Sequence, residues 1–484
     1  MAKKIILDPG RTFSEFCLLT GHTKRQGTIS DVTLQTKLTD HLTLKLPLLS
    51  AAMTSVTGYE MTLALGKEGG LGILPARLTV EEQVDIVRKI KDYEMGFVSE
   101  PITAREDATV EEVLKLVEQF GHSKIPIVDR NNVFSGMFIQ QHYWEIDVAL
   151  QDPVASAMIP FGTQEISACQ KPSITVDEAK KLLKSNRQRY LVVLDDLNRL
   201  VKLAFQKDIE KIKVGAAITT FKGWRERVEA NVEAGVDLIV VDTSDAYSDF
   251  VVDVMKDYKK MGMPTPLCVG NVITYDGAMY LMQKGADIVK VGMSSGSICT
   301  THREKATGRA PMTALIEVGK AREDYLQKSG RYVSLIMDGG ITCSADMIIA
   351  LTIADAVMMG YYFNRFYESA GEKLDRGGQV TRDENQMASV VTWGEGSIRA
   401  KNLNRYGHVT RKTFFEEGVE GTVPYLGRLK PTLKNDMMKI KAALSNAGCL
   451  NLEQLRANAV IELNSPYAGK IVGDAHDIAM KDRS

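Results

Sequence analysis

The chain has 484 residues, of which 44% are hydrophobic and 25% are charged, and its 60 basic residues nearly balance its 61 acidic residues. This is the composition of an ordinary globular protein, and the near-zero net charge carries no signature of binding to nucleic acid or anionic membranes. The length suits two domains better than one, and we expect a small molecule as the partner.

Three features of the sequence predict a cytoplasmic protein whose thiols are mostly free. The beginning, MAKKIILDPGRTF, has two lysines but no apolar stretch long enough for a signal peptide. A run of about 18 apolar residues, which a transmembrane helix needs, does not occur in the sequence. The six cysteines are scattered without CxxC pairs, so neither a zinc site nor a disulfide framework is indicated.

Eight short apolar runs end in polar residues or glycine and are followed by helix-like segments. This alternation predicts parallel strands covered by helices, and eight such units predict an α/β fold of the (β/α)8 TIM barrel type. The predicted strands span residues 47–53, 70–74, 214–218, 237–244, 266–272, 287–293, 334–340 and 356–360. Because such barrels place their chemistry at the carboxyl ends of the strands, we expect the active site there. Residues at or just past those ends are Met53, Asp242, Asn271, Cys299, Asp338 and Gly360.

The spacing of these units is interrupted between the second and third strands. Within the interruption, ATVEEVLKL followed by KIPIVDRNN, from Ala108, is echoed by ITVDEAKKL followed by YLVVLDDLN, from Ile174. A repeat at one fixed offset predicts an internal duplication. Each copy resembles a CBS domain, a module that often binds adenine nucleotides. We predict a catalytic barrel with a mobile flap in residues 1–92 and 214–484, and a tandem CBS pair in residues 93–213, with copies at about 95–150 and 153–213.

A single cysteine stands in an unusual frame after the sixth predicted strand. In KVGMSSGSICTTHREKATGRAP (Lys290–Pro311), Cys299 ends a Gly/Ser-rich turn and two threonines follow it. Most free cysteines are small apolar fillers. A flexible and polar loop at a barrel strand end favours a nucleophile instead, and backbone groups in such a turn can also cradle an ion or a phosphate.

Motifs spread over nearly the whole chain resemble the inosine monophosphate dehydrogenase family. They are, in order, RTFSEFCLL, SAAMTSVT, VDTSDAYS, VGNVIT, GSICTT, MDGGI, MMGYYFNRF, WGEGSIRAKNLNRY, FEEGVEGTVPYLGRLK and GDAHDI. The resemblance implies NAD-dependent oxidation of inosine 5'-monophosphate (IMP) to xanthosine 5'-monophosphate in de novo guanine nucleotide synthesis. It also implies a covalent thioimidate between the cysteine and carbon 2 of the base.

The resemblance assigns catalytic roles to four residues. Cys299 is the implied nucleophile. The flap has no histidine where the family keeps its water activator and offers Arg405 followed by Tyr406. In the family this arginine, with Thr301 beside the cysteine, is thought to activate water, although the reference pKa of arginine lies above about 12.

The resemblance also implies binding residues on the barrel loops. The phosphate would be bound by the loops after the last two strands and by the Gly/Ser-rich loop that contains Cys299, which we call the cysteine loop. The residues are Ser297, Gly340, Gly360 and Tyr361. Asp338 would accept hydrogen bonds from the two ribose hydroxyls. The remaining substrate residues are Met53, Glu417 and the backbone of Glu395 and Gly396. Asp242 would bind the nicotinamide ribose, and the other cofactor residues are Ser244, Asn271 and Gly292.

A monovalent cation, with K⁺ as the expected ion, fits the cysteine loop by the same resemblance. The ligands would be main-chain oxygens of Ser294, Gly296 and Cys299 and, from a neighbouring subunit, of Val472, Gly473 and Asp474. The family more often has glycine in place of Ser294, and a non-glycine residue that needs a positive φ would be strained. Because this site and the architecture of the family both need a neighbouring subunit, the resemblance implies a homotetramer. We expect no membrane and no specific nucleic-acid partner.

Two other functions compete with this interpretation. Guanosine monophosphate (GMP) reductases share the barrel, the cysteine and the threonines, and LPARLTVEEQ (residues 74–83) is more similar to forms of that enzyme that carry CBS domains. Thr392 also stands where many dehydrogenases have a tyrosine that contacts the phosphate. Arg405 argues against a reductase, because releasing ammonia requires no such water activator. A barrel that senses purine nucleotides without turnover is the third alternative, against which the joint presence of Cys299, Thr301, Asp338 and Glu417 argues.

Overall fold

The computed structural model of the chain describes residues 4–23, 27–206, 209–402 and 417–465. The chain divides into two units, the first formed by Met1–Lys91 with Lys213–Ser484 and the second by Asp92–Ile212. In the described ranges, no helix combines the length and the apolar character that crossing a membrane would require.

Eight parallel strands of the first unit close into a barrel. They are β1 (Leu48–Ser50), β2 (Leu71–Leu74), β3 (Val214–Ile218), β4 (Leu238–Asp242), β5 (Leu267–Val272), β6 (Ile288–Val291), β7 (Ser334–Asp338) and β8 (Ala356–Met359). Each strand pairs with the next, and β8 closes the circle on β1. All eight predicted strands belong to this barrel, so the predicted (β/α)8 fold is confirmed.

A helix follows every barrel strand. These helices are α1 (Tyr59–Lys67), α2 (Val80–Lys91), α3 (Trp224–Glu233), α4 (Asp249–Lys260), α5 (Tyr275–Gln283), α6 (Pro311–Ser329), α7 (Ser344–Leu351) and α8 (Leu429–Asn446). The first unit also contains the short helices Phe13–Glu15, Thr301–Lys305, Tyr361–Asn364, Ile398–Asn402 and Leu452–Asn458. Two antiparallel strand pairs join Phe16–Leu18 to Ile461–Leu463 and Thr36–Lys37 to Thr43–Leu44.

A three-stranded antiparallel sheet lies in the chain between β8 and α8. Its strands are Lys373–Leu374, Ser389–Trp393 and Glu420–Pro424. We call residues 389–424, which include the last two of these strands, the flap. The flap is relevant to function because it contributes residues to the cavity described below.

The barrel interior is filled by apolar side chains from its strands. They include Leu49, Ile73, Ala217, Val240, Cys268, Ile288, Ile336 and Met358, all of them buried. Complete burial raises the pKa of the Cys268 thiol to about 12, so this cysteine stays protonated and acts as packing. The barrel is therefore a solid core rather than a channel, and chemistry is confined to its ends.

Three aspartates tie neighbouring strands together at the amino-terminal end of the barrel. Each stands just before a strand and accepts a hydrogen bond from the backbone of the preceding strand. The pairs are Asp237 with Val214 N–H at 2.8 Å, Asp287 with Leu267 N–H at 3.0 Å and Asp355 with Leu335 N–H at 2.8 Å. These bonds fix the register of the strands at the end opposite to the predicted active site.

Replacing Asp355 by alanine is expected to lower the free energy of unfolding by about 3–5 kcal/mol, because it removes the partner of two largely buried arginines. The Asp355 carboxylate lies 3.3 Å from Arg322 Nη1 and 3.2 Å from Arg456 Nη2, and it accepts a 2.8 Å hydrogen bond from the Tyr332 hydroxyl. Urea unfolding followed by circular dichroism would measure the loss. Asp287→Ala, whose partner Arg331 is 40% exposed, should cost much less, and equal losses would contradict the expectation.

Where the structure describes it, the second unit contains two four-stranded sheets. One has the order Ile159–Pro160, Phe134–Ile139, Lys124–Val128 and Ala104–Arg105, and the other Ala168–Cys169, Tyr190–Leu194, Leu200–Phe205 and Phe97–Val98. Its helices are Val110–Phe120, Gln140–Tyr143, Val154–Ser156 and Val176–Ser185.

The two sheets of the second unit are built from similar local structures. The longest helix of each half begins with a capping box, formed by Thr109 with Glu112 and by Thr175 with Glu178. The turns between the central strands also match, because Asn132 and Asn198 both adopt a positive φ, of 62° and 60°. Helix, strand, turn and strand thus recur in the same order in both halves.

Candidate active site

A cavity of about 420 Å³ opens at the carboxyl ends of the barrel strands. This volume is in the range of small-molecule binding sites. Thirteen of the residues predicted from the sequence line it: Met53, Asp242, Ser244, Asn271, Gly292, Ser294, Gly296, Cys299, Thr301, Asp338, Glu395, Gly396 and Glu417. Residues far apart in the sequence therefore converge on one site.

Four predicted phosphate residues, Ser297, Gly340, Gly360 and Tyr361, are not part of the cavity lining. Two of these four, Gly360 and Gly340, lie next to residues that line the cavity. A Cβ atom added at Gly360 would lie 2.7 Å from the sulfur of Met53, and one at Gly340 would lie 3.4 Å from the Cβ of Ser295. The predicted residues Arg405, Tyr406, Val472, Gly473 and Asp474 lie outside the described residues.

Cys299 stands at one end of a chain of polar contacts. Its sulfur is 3.1 Å from the hydroxyl oxygen of Thr301, and that hydroxyl donates to Oε2 of Glu417 at 3.2 Å. The other carboxylate oxygen of Glu417 is 2.7 Å from Nζ of Lys305. Because the threonine hydroxyl can accept from the thiol while it donates to the carboxylate, a proton can pass along this chain.

The loop after β6 brings the cysteine into the cavity. Gly292 has a φ of 135°, and a Cβ atom there would lie 2.2 Å from the carbonyl oxygen of Asp338, so only glycine fits. Ser294 has a φ of 63°, in the left-handed region that favours glycine, so this serine has the strained backbone that was expected. Its hydroxyl donates to the carbonyl of Thr307 at 2.8 Å, which supports this turn. Cys299 N–H then donates to Gly296 O at 3.1 Å, so the cysteine ends a tight turn.

Two segments of the flap pack in layers against the cysteine loop. The backbone of Val419 donates to Ile298 O at 3.2 Å, and Thr300 donates to Glu417 O at 3.1 Å. Further out, Gly394 donates to Val419 O at 3.0 Å and Glu417 donates to Gly396 O at 3.2 Å. The flap residues that line the cavity are thus fixed to the cysteine loop by main-chain hydrogen bonds.

Lys290, which was not predicted from the sequence, lies among the carboxyl ends of the barrel strands. Its side chain is 1% exposed, and Nζ is 2.9 Å from Oδ1 of Asp242 and 2.7 Å from Oδ2 of Asp338. Nζ also donates to the side-chain oxygen of Asn271, whose amide in turn donates to Asp338 at 3.1 Å. Burial alone would lower the pKa of Lys290, but the two carboxylates outweigh it and the pKa is raised.

Four more residues of the site were missed: Thr54, Arg77, Lys305 and Trp393. Lys305 contacts Glu417, and the other three contact Glu395 or each other. The sequence held one usable signal for Lys290, because it is the only charged residue inside an otherwise apolar strand. Thr54, Arg77 and Trp393 gave no comparable signal, since their partners come from distant parts of the chain.

A family model described as the IMP dehydrogenase / GMP reductase domain matches residues 10–476 of the chain. The chain belongs to the IMP dehydrogenase / GMP reductase family. The resemblance found from the sequence motifs is therefore confirmed, and the match covers the barrel, the flap and the second unit.

Relatives in this family align with nearly the whole chain. An inosine-5'-monophosphate dehydrogenase from Tritrichomonas foetus is 34% identical, with 98% of this chain and 97% of that protein covered. One from Aquifex aeolicus is 31% identical, with 93% and 92% covered. Among solved structures, a cysteine-to-alanine variant of the Trypanosoma brucei GMP reductase in complex with guanosine 5'-monophosphate superposes with a TM-score of 0.69. It is 23% identical and covers 98% of this chain and 99% of that chain, and it supports the fold that the two share.

Proposed function

We propose that this member of the IMP dehydrogenase / GMP reductase family is an NAD-dependent IMP dehydrogenase, which converts IMP to xanthosine 5'-monophosphate in guanine nucleotide synthesis. The observation that carries the proposal is the contact chain from Cys299 through Thr301 to Glu417 at the wall of the cavity. It provides a nucleophile with a route for its proton. The relatives named inosine-5'-monophosphate dehydrogenase support the same activity.

In the first chemical step, Cys299 loses its proton toward Thr301 and Glu417, and its sulfur forms a bond to carbon 2 of the purine ring. The hydride leaves carbon 2 with the electron pair of the C–H bond, and NAD held by Asp242, Ser244 and Asn271 would supply the acceptor for it. The purine is then held on Cys299 as a thioimidate. The hydroxyl of Thr301, 3.1 Å from the sulfur, is placed to accept the thiol proton.

In the second step, water adds to carbon 2, the C–S bond breaks, and the sulfur of Cys299 leaves with the electron pair and is reprotonated. The proton released by the water needs a base. The family resemblance assigns that role to Arg405 with Thr301. The hydrogen bond from Thr301 to Glu417 adds a carboxylate that can accept a proton through the same hydroxyl.

The strand ends supply the groups that would hold the two nucleotides. Asp338 suits the ribose hydroxyls of IMP because a carboxylate accepts two hydrogen bonds. Asp242, Ser244 and Asn271 would bind NAD, and they lie with Asp338 around the same cavity. Gly292 lines the same cavity and is proposed as a further cofactor residue. The proposed phosphate contacts are Ser297, Gly340, Gly360 and Tyr361, of which Gly340 and Gly360 border this cavity.

The cysteine loop is compatible with the proposed K⁺ ion. Ser294 adopts the backbone conformation that glycine usually provides at such a position, so the loop accommodates the substitution. The carbonyl of Gly296 accepts from Cys299 N–H and retains a second lone pair. The main-chain oxygens of Ser294, Gly296 and Cys299 would form the half of the ion site that the cysteine loop contributes. Val472, Gly473 and Asp474 of a neighbouring copy would form the other half, in a homotetramer.

The second unit is, by our proposal, a tandem CBS pair inserted into the catalytic barrel. The order of helix, strand, turn and strand in both halves supports this assignment. None of the residues proposed for catalysis lies in Asp92–Ile212. We therefore propose that the barrel alone carries the chemistry.

An assay with both nucleotide pairs separates this function from the reductase alternative, which the fold of the Trypanosoma brucei enzyme keeps relevant. With IMP and NAD, the purified protein is expected to increase absorbance at the reduced-nicotinamide band. With GMP and NADPH, no decrease is expected, because a dehydrogenase does not release ammonia. Consumption of NADPH with GMP would identify a reductase, and absence of change with both pairs would favour a nucleotide sensor.

A further inference from the structure

One wall of the cavity is a short stretch of bare backbone. Gly394, Glu395 and Gly396 of the flap line the cavity together with Cys299. Two of these residues are glycines, so the shape of this wall depends on where the main chain of Glu395 is held. The hydrogen bonds of its neighbours Gly394 and Gly396 to Val419 and Glu417 hold it from the side of the cysteine loop.

Arg77 holds the same residue from the side of the barrel. It stands in the loop between β2 and α2, and its side chain is 1% exposed. Its Nε forms an ion pair with the Glu395 carboxylate, and its Nη2 donates to the Glu395 backbone carbonyl. One guanidinium group thus binds both the side chain and the main chain of a single residue. Arginine suits this task because its planar fork presents several donors at once.

A second barrel loop completes the attachment. Thr54, between β1 and α1, donates to the Glu395 carboxylate from its backbone N–H at 2.8 Å and from its hydroxyl at 2.9 Å. The same hydroxyl accepts from the indole N–H of Trp393 at 2.8 Å, and Ser55 donates to the carbonyl of Trp393 at 3.2 Å. The flap between Trp393 and Glu395 is therefore bound to the loops that follow β1 and β2.

We propose that Arg77 is a positioning residue for the reaction. Acting through Glu395, it sets the main chain of Glu395 and Gly396 opposite Cys299, where the purine base of the substrate binds. This inference rests on the proposed function, because the base must lie against that wall when the sulfur attacks carbon 2. Arg77 belongs to LPARLTVEEQ (residues 74–83), the stretch that resembles GMP reductases, so the proposal gives one residue of that stretch a function.

Steady-state kinetics with IMP at saturating NAD test the proposal. Arg77→Met is expected to lower kcat/KM for IMP by about 10- to 100-fold, because an error of about 1 Å in a positioned group can cost that much. Glu395→Gln should cause a similar loss. The double variant should be no worse than the poorer single variant, since both substitutions break one attachment. Arg77→Lys should be intermediate, because a lysine cannot reproduce the planar fork.

Fluorescence gives a readout that does not depend on turnover. The chain has three tryptophans, and replacing Trp144 and Trp224 by phenylalanine leaves Trp393, which is 6% exposed and bonded to Thr54. In that background, without ligands, Arg77→Met is expected to shift the emission of Trp393 to longer wavelength and to increase its quenching by acrylamide. A residue that contributes only to global stability would leave the emission of the folded protein unchanged.

Arg331→Met is the matched control. Arg331 also binds a carboxylate and a backbone carbonyl, those of Asp287 and Ala286, each at 2.9 Å, but at the other end of the barrel. It should change neither kcat/KM nor the emission of Trp393. If Arg77→Met does not fold, the nearly isosteric Glu395→Gln carries the same test.

The outcomes distinguish the inference from the proposed function. A wild-type protein that oxidises IMP, together with Arg77→Met and Glu395→Gln variants that match it in kcat/KM and in Trp393 emission, would overturn the inference. A wild-type protein that does not oxidise IMP would refute the proposed function. A Trp393 shift in Arg77→Met would then still support the attachment of the flap by Arg77.

Discussion

Cys299→Ala is expected to abolish hydride transfer, whereas Arg405→Ala should spare hydride transfer and slow hydrolysis. The first variant lacks the sulfur that attacks the purine, so no reduced NAD can form. The second retains the sulfur but lacks the proposed water activator, and loss of a positioned base typically costs a factor of about 100 to 10,000. Rapid mixing with IMP and NAD should therefore show, for Arg405→Ala, a burst of about one equivalent of reduced NAD per site and then a slow steady state. Mass spectrometry should detect the covalent adduct on Cys299.

Cys343→Ala controls for the general loss of a thiol, because Cys343 is an exposed free cysteine outside the cavity lining. It should behave like the wild type. Loss of the burst in Arg405→Ala would mean that the arginine is needed before the covalent intermediate forms. Turnover at the wild-type rate would remove Arg405 from the mechanism and strengthen the reductase alternative.

Lys290→Met is expected to lower kcat/KM by about 100-fold or more for both IMP and NAD. Asp242, proposed to bind the cofactor, and Asp338, proposed to bind the substrate, share the Lys290 ammonium group at 2.9 and 2.7 Å. Without it, two like charges at the strand ends repel each other and both ribose sites lose their alignment. Initial rates with each substrate varied in turn would show KM rising for both.

The pH dependence of Lys290 adds an independent check. The pKa of Lys290 is raised in the folded protein. The stabilisation from this shift is therefore fully present below the pKa of lysine in the unfolded chain, about 10.4, and is lost only as the pH rises through the pKa of Lys290 in the folded protein. The ratio of wild-type to Lys290→Met activity should therefore be constant between about pH 6 and pH 9. Lys91→Met serves as control, since Lys91 pairs with Asp237 at the other end of the barrel and should leave both KM values unchanged.

The parts of the fold that could be predicted are those that local pattern determines. Each predicted barrel strand is an apolar run with a polar or glycine end. The apolar runs therefore predict the strands, and their number predicts the barrel. Residues at strand ends, such as Asp242 and Asp338, followed from that geometry. Cys299 followed from the composition of its loop.

What escaped prediction depends on contacts between distant segments. Lys290 is interpretable only when the ends of β4, β5 and β7 surround it, because its three partners come from those strands. Arg77 and Thr54 meet Glu395 across more than three hundred residues of sequence. The side chain of Glu395 was likewise beyond prediction, since a glutamate in a Gly-rich turn gives no sign that two barrel loops bind it.

The aspartates at the amino-terminal end of the barrel have a consequence for how this enzyme can change. Asp237, Asp287 and Asp355 bind the backbone of neighbouring strands, independently of the loops that carry the chemistry. The end that maintains the architecture is therefore separate from the end that reacts. Loops at the reactive end can be exchanged, by evolution or by a protein engineer, while the scaffold persists, so that new specificities can be sampled without first rebuilding the barrel.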